Sequence, residues 1–248
     1  MSRTRILLLL LACFIYTRAS SQTIKVGFQS GLGTYRMQEL EKVTSLVYEG
    51  LPFKAAVLAS YPSWLYYKPE LWFSLHRFNL GINASFCSSG SRISSKDYSG
   101  EYLFNTKVKS FAPGIYADYF VYSLKGKYNV SVFSEGGVLL SKMTLKETLT
   151  VNSTEILNTS YTFKSLNYFA EPGIKLAYDL NRNISFELSA GYLVQFGRSD
   201  FKTDRDEIFN FNHHEIGPGW SGFRFGLGIL YQFPGKSDTK LVVLKDGS

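Results

Sequence analysis

The chain has 248 residues, 45% of them apolar, 16% aromatic and 19% charged, with 27 Lys and Arg against 20 Asp and Glu for a net charge of +7. That apolar content excludes a disordered chain, and 20 Phe and 17 Tyr beside 21 Gly argue for many short strands and against a helical bundle or coiled coil. Of the two cysteines one falls inside a leader, which excludes an intramolecular disulfide or a cysteine-based zinc site in the mature protein.

Residues 1–21 read as a secretory signal: Arg3 and Arg5 precede an apolar run from Ile6 to Tyr16, and Ala19 and Ser21 occupy the small-residue positions of a cleavage site before Gln22. Leu10-Leu11-Ala12-Cys13 is close to a lipobox, but Phe14, Ile15 and Tyr16 continue the apolar run past the cysteine, which favours ordinary cleavage. The run is about half the roughly 20 residues a spanning helix needs. Losing the leader leaves 24 basic against 20 acidic residues, a net of +4, too small and scattered to argue for a nucleic-acid partner. No later window holds 18 consecutive apolar residues, which excludes a transmembrane helix but not a barrel, whose strands alternate.

Two-residue periodicity predicts eight strands. Ile24, Val26, Phe28 and Leu32 oppose Lys25, Gly27, Gln29 and Gly31 in the first, and Leu65, Tyr67, Leu71 and Phe73 oppose Tyr66, Lys68, Glu70 and Trp72 in the second. The third places Phe78, Leu80, Ile82 and Phe86 against Asn79, Gly81, Asn83 and Ser85, and the fourth Phe111, Ile115, Tyr119 and Val121 against Ser110, Tyr116 and Asp118. The fifth opposes Tyr128, Val132, Val138 and Leu140 to Ser131 and Glu135, and the sixth Leu166, Tyr168, Ile174, Leu176 and Tyr178 to Glu171, Gly173 and Lys175. Ile184, Phe186, Leu188, Tyr192 and Phe196 face away from Ser185, Glu187 and Ser189 in the seventh, as do Phe223, Phe225, Leu227, Ile229, Tyr231 and Phe233 from Arg224, Gly226 and Gly228 in the eighth.

His76-Arg77, Lys125-Gly126 and Asn181-Arg182 read as tight turns, while 34–63, 88–101, 146–160 and 198–219 read as long loops. All short turns then lie at one end together with both termini, the plan of an eight-stranded antiparallel up-and-down transmembrane β-barrel with periplasmic turns and extracellular loops. The first long loop carries an amphipathic helix over 36–49, with Met37, Leu40, Val43 and Leu46 on one side and Gly50 as its stop, placed either as a lid on the mouth or along the outer leaflet. The stretch 53–61 extends the second strand above the membrane. Pro113-Gly114 and Pro172-Gly173 are expected to mark bulges.

Composition decides which face is inside. The polar face is rich in Gly and Ser and carries Lys25, Lys68, Lys175 and Arg224 against Glu70, Asp118, Glu135, Glu171 and Glu187, a set suited to pair across a narrow lumen and plug it. Tyr119, Tyr128, Tyr178 and Tyr231 fall on the apolar face near the short turns, where an interfacial aromatic girdle belongs. A soluble lipid-binding calyx would turn the same aromatics inward.

On these residues the chain resembles the small Gram-negative outer-membrane β-barrel proteins of the eight-stranded OmpX/OmpA-like type. Gly228-Ile229-Leu230-Tyr231-Gln232-Phe233 looks like the terminal-strand signal recognised by the barrel-assembly machinery, with Gly228, Tyr231 and Phe233 as its letters. Gly226 departs from the polar residue usual there, and a 15-residue tail, 234–248, follows Phe233. The resemblance implies a leader over 1–21, a barrel domain over 22–233, outer-membrane lipids as surroundings and an extracellular ligand for the loops. With no histidine inside a membrane-spanning segment, no enzymatic activity is expected, and no cofactor is assigned. The other readings are a lipid-modifying enzyme, as some such barrels are, and a soluble periplasmic carrier. His213-His214-Glu215 is the one adjacent histidine pair, but neighbours in a strand face opposite ways and no third ligand is identifiable, so no metal site is assigned.

Overall fold

A computed structural model describes residues 23–124, 126–152, 154–197, 200–203, 207–211 and 214–233. The leader, His213 and the tail after Phe233 lie outside the described residues. The elements in order are β1 (Thr23–Gly33), α1 (Gln38–Glu49), β2 (Ala56–Ser60), β3 (Trp64–Leu75), β4 (Phe78–Lys96), β5 (Gly100–Leu124), β6 (Tyr128–Val151), β7 (Thr154–Asp179), β8 (Ile184–Phe196), the two-residue strands β9 (Asn210–Phe211) and β10 (His214–Glu215), and β11 (Gly222–Gln232).

Eight of these strands close into a ring in the order β4-β3-β1-β11-β8-β7-β6-β5, with β5 returning to β4, and every pairing is antiparallel. Closure leaves no lipid-exposed sheet edge, which is what allows strands to cross hydrocarbon. All eight predicted strands are present. Each short turn is built by residues that tolerate it: His76 and Gly126 take positive φ, and the Asn181 side chain accepts hydrogen bonds from the N–H groups of Asn183 and Ile184. Gly31 marks the closest approach of β1 and β11, since a Cβ there would run into the carbonyl oxygen of Phe225 and the ring of Tyr66.

The far end of the cylinder is lopsided. β1, β3, β8 and β11 have 11 to 13 residues, close to the roughly 9–11 that cross a bilayer, whereas β4, β5, β6 and β7 have 19, 25, 24 and 26. The segments 88–101 and 146–160, expected as loops, are instead largely strand extensions, with turns at 97–99 and at Asn152. Their Ser, Thr and Asn content reads as loop, but Ser89, Ser91 and Ile93 alternate as a buried face in the first, and Leu149 of the second packs against the cluster of Ile93, Tyr102 and Phe104. β2 adds to the outer part of β4, as the extension of the second strand predicts. The result is a five-stranded wall, β2-β4-β5-β6-β7, standing beyond the barrel proper.

The Pro-Gly bulges are not formed. Registers run unshifted past Pro113 and Pro172, and the irregularities fall at Phe120/Tyr122 and Leu149/Thr150 instead. Each proline, with Pro69 of β3, simply opens a two-residue gap in one ladder, β5–β6, β7–β8 or β3–β4, because it has no N–H to give.

At the tip of the wall Asp97 Oδ1 accepts hydrogen bonds from the Ser99 hydroxyl at 2.7 Å and from the N–H groups of Ser99 and Gly100 at 2.8 and 2.9 Å. These bonds, the hydroxyl first, hold the Asp97 carboxyl below the usual carboxylate range. A folded value below the unfolded one means that the turn is favoured at neutral pH and loses that support as pH falls through the folded value. Ser99→Ala is expected to raise the Asp97 titration midpoint in a carboxyl 13C NMR titration; an unmoved midpoint would assign the depression to the backbone bonds alone.

Candidate functional site: the lumen and the outer wall

The alternation of each strand sorts side chains into two solvents. On the outside Ile115 is 72% exposed, Leu227 66%, Ile174 61% and Ile82 57%. On the inside the eight charged residues Lys68, Glu70, Asp118, Glu135, Glu171, Lys175, Glu187 and Arg224 are each between 1% and 7% exposed. In water this distribution is inverted, because a belt of large apolar side chains would face solvent while ions pack the core. In a bilayer it is the stable one. The chain is an eight-stranded transmembrane β-barrel.

No protein-family model matches the chain, and no curated protein matches it. Among solved structures it is similar to Ail, the attachment invasion locus protein of Yersinia pestis, at 12% identity and TM-score 0.38, covering 86% of this chain and 97% of that one. A major outer membrane protein from Thermus thermophilus matches at 12% identity and TM-score 0.46, covering 86% of this chain and 100% of that one. The outer membrane protease OmpT from Escherichia coli matches at 8% identity and TM-score 0.39, covering 86% and 96%. No activity is carried over from any of them.

The barrel brings the predicted lumen charges together in two connected groups. In the first, Lys68 Nζ lies 3.2 Å from Glu70 Oε1 and 3.0 Å from Glu135 Oε2, which also accepts a 2.6 Å hydrogen bond from Asn83 Nδ2. Beside it Arg224 Nη1 meets Glu171 Oε2 at 3.2 Å and Ser85 Oγ at 3.3 Å, with its guanidinium 5.0 Å from the centre of the Tyr66 ring. In the second group Lys175 Nζ lies 2.7 Å from Asp118 Oδ2, 3.5 Å from Glu187 Oε1 and 3.6 Å from the centre of the Trp72 ring. Lys175 also donates to Tyr116 OH at 2.7 Å, and Tyr116 OH and Ser131 Oγ donate to Asp118 Oδ2. Trp72, Tyr116 and Phe133 stack in turn, with centroids 4.7 and 5.7 Å apart, and fill the width between the two groups. An eight-stranded ring is only wide enough for side chains to fill it, and here they do.

Lys25 is not part of either group. It sits half-buried at the short-turn end, in an open, mostly polar concavity of about 500 Å³ shared with Asp118, Asp179, Lys175 and Glu187. Trp64, which shares the inward periodicity of Tyr66, Lys68, Glu70 and Trp72, is instead 51% exposed at the rim. Tyr119, Tyr128, Tyr178 and Tyr231 all lie on the outer surface near the short turns, pairing as Phe78–Tyr119, Tyr128–Tyr178 and Tyr231–Phe233 with centroids 4.9 to 5.0 Å apart. Gly228, Tyr231 and Phe233 lie along the seam where β11 meets β1, and the Phe233 N–H donates to Ile24 O at 2.9 Å. Gly226 is accounted for by space: a Cβ there would collide with the Gln29 amide and the Tyr66 hydroxyl.

Above the ionic zone the interior changes character. Met37, Leu40, Val43, Tyr61, Val108, Leu139, Met143, Phe163, Phe201, Ile216 and Trp220 form one buried apolar cluster that corks the outer mouth. α1 supplies Leu40 and Val43 to it and ends at Gly50, whose N–H donates to Leu46 O, so the helix is a lid and not a leaflet-bound segment. Trp220 is fully buried, packs edge-on to Tyr35 at 4.9 Å and donates its indole N–H to Ser141 Oγ at 2.9 Å. Sequence reading missed this cork because these members come from β5, β6 and β7, from the helix with Met37 before it, from Tyr61 after β2, and from the last loop. A signal was present in Tyr102, Phe104 and Val108, which carry the buried-face alternation of β5 outward between the expected loop 88–101 and the expected strand at Phe111; Tyr102 and Phe104 pack with Ile93 in a second cluster. Among the described residues no group of three His, Cys, Asp or Glu side chains has metal-binding geometry.

Proposed function

We propose that this protein resides in the outer membrane, exported by its leader, and works without catalysis as a closed barrel whose projecting wall is a binding or adhesion surface. The observation that carries this reading is the double closure of the interior. The lumen carboxylates and cations are tied to one another, and the mouth is corked by packed apolar side chains, so among the described residues the interior is filled from the ionic zone to the mouth. What the molecule presents to the outside is the wall of β2, β4, β5, β6 and β7. The charges at Lys68, Glu135, Glu171, Lys175 and Arg224 serve as a plug, the tyrosines as an interfacial girdle, and Gly228, Tyr231 and Phe233 as the assembly signal.

Two measurements test this. Outer-membrane fractions should contain the protein, extractable only with detergent and migrating on gels with heat-modifiable mobility; extraction by buffer alone defeats the barrel reading. In planar bilayers the folded protein is expected to give no stable unitary currents, and ion-selective steps would defeat the plug. An altered acyl pattern of the host lipopolysaccharide on expression would favour an enzyme instead.

A further inference from the structure

The outward face of the wall carries a row of lysines that the plug and cork do not explain. Lys109 of β5 is directly opposite Lys142 of β6, Lys142 is opposite Lys164 of β7, and Lys164 is bridged to Lys202 of the last loop through reciprocal backbone hydrogen bonds of 2.8 Å. The next two outward rows add Lys107, then Arg92 and Lys146, at positions paired with Gly90, Thr144 and Thr162 and with Asn105 and Ser160. These three rows of β4 to β7 therefore hold six cations and no acid. Like charges placed directly opposite across strands are destabilising. Lys109, Lys142 and Lys202 make no ion pair among the described residues, and all three are exposed.

The position of the row identifies its counterion. Two residues nearer the membrane on the same strands stand Phe111, Leu140 and Leu166, which pair with one another as the last large apolar row of the lipid belt. Both rows line a single open concavity of about 960 Å³ on the outer surface. A ligand filling it meets ammonium groups above and hydrocarbon below, the polarity of a phosphorylated lipid and not of a soluble anion.

We infer that the lysine row Lys109–Lys142–Lys164–Lys202 binds the phosphate-bearing headgroup of an outer-leaflet glycolipid, whose acyl chains lie along Phe111, Leu140 and Leu166. This rests on the membrane-barrel reading. The site clamps the barrel to the leaflet on the side of the tall wall and supplies a counter-charge to Lys109, Lys142 and Lys202.

The test uses the mature protein folded in detergent micelles, with heat-modifiable mobility as the fold check, titrated with diphosphorylated lipid A and with the same lipid stripped of phosphate. Removing the phosphates is expected to weaken binding clearly. Lys109→Gln/Lys142→Gln/Lys202→Gln should weaken binding of the phosphorylated lipid on the order of a hundredfold, about fivefold per lysine. Removing three cations from the opposite rim, Arg77→Gln/Lys127→Gln/Arg182→Gln, should change it by at most about twofold, since that rim is far beyond the screening length. If the triple variant does not fold, Lys109→Gln and Lys142→Gln singly carry the same comparison. Equal binding of both lipids, unchanged binding by the folded lysine variants, or tighter binding of inorganic phosphate or a heparin fragment than of lipid A would each overturn the inference. A chain with no heat-modifiable form would count against the barrel itself, whereas a folded barrel indifferent to phosphate counts against the lysine row alone.

Discussion

Lys68→Met should lower the stability of the folded barrel by about 3–5 kcal/mol, the range for removing one partner of a buried ion pair. Lys68 is the cation within salt-bridge distance of both Glu70 and Glu135, and all three are buried. Methionine fills much of the same volume, so the loss reports charge and not a cavity. The two carboxylates left behind must hold protons or admit water, and the stacked rings of Trp72, Tyr116 and Phe133 leave little room for water. Urea unfolding in micelles, followed by tryptophan fluorescence, measures the change. Adding Glu135→Gln to the variant should recover part of the loss, since Asn83 can still hydrogen-bond the amide oxygen. A loss under about 1 kcal/mol, the scale of a solvated pair, would mean that the lumen is wet at that level.

Trp220→Ala should cost a further, separate 3–5 kcal/mol or so, the range for deleting a large buried aromatic. The indole is fully buried in the outer cork, stacks edge-on against Tyr35, and satisfies Ser141 through its N–H. The flanking backbone is pinned too: the Trp220 N–H donates to Gln195 Oε1, and Gly222 abuts Thr34 so closely that no side chain fits there. The cavity therefore cannot collapse easily, and the cost should fall in the upper half of the range. The same unfolding assay reads it. Because Trp220 sits in the apolar cluster and Lys68 in the ionic one, the double variant should show additive losses. Strong coupling between them would show that cork and plug form one unit.

The strand pattern inside the bilayer was legible in the sequence, because a lipid-facing belt on one side and a crowded lumen on the other enforce strict alternation. Ile82, Ile115, Ile174 and Leu227 face outward as their periodicity predicts. The inward charges were legible for the same reason, though not their pairing: that Lys175 meets Asp118 of β5 and Glu187 of β8 depends on barrel shear, which a single strand does not encode. Above the membrane the legibility fails. There both faces of the wall see polar surroundings or a local core, so Ser88 to Glu101 and Lys146 to Ser160 alternate weakly and resemble loops. The lysine row escaped notice because its members are spread over four segments up to 93 residues apart in the chain, and register alone brings Lys109, Lys142, Lys164 and Lys202 into line.

The cork of α1 and Trp220 shuts the cylinder on the side of the tall wall, while Lys25, Asp118, Asp179 and Glu187 border an open hollow on the side of the short turns. Among the described residues the interior is thus a blind well with one mouth. The open hollow puts the near end of the ionic plug against the short-turn compartment, and the packed cork stands between that plug and whatever the wall meets in the medium beyond.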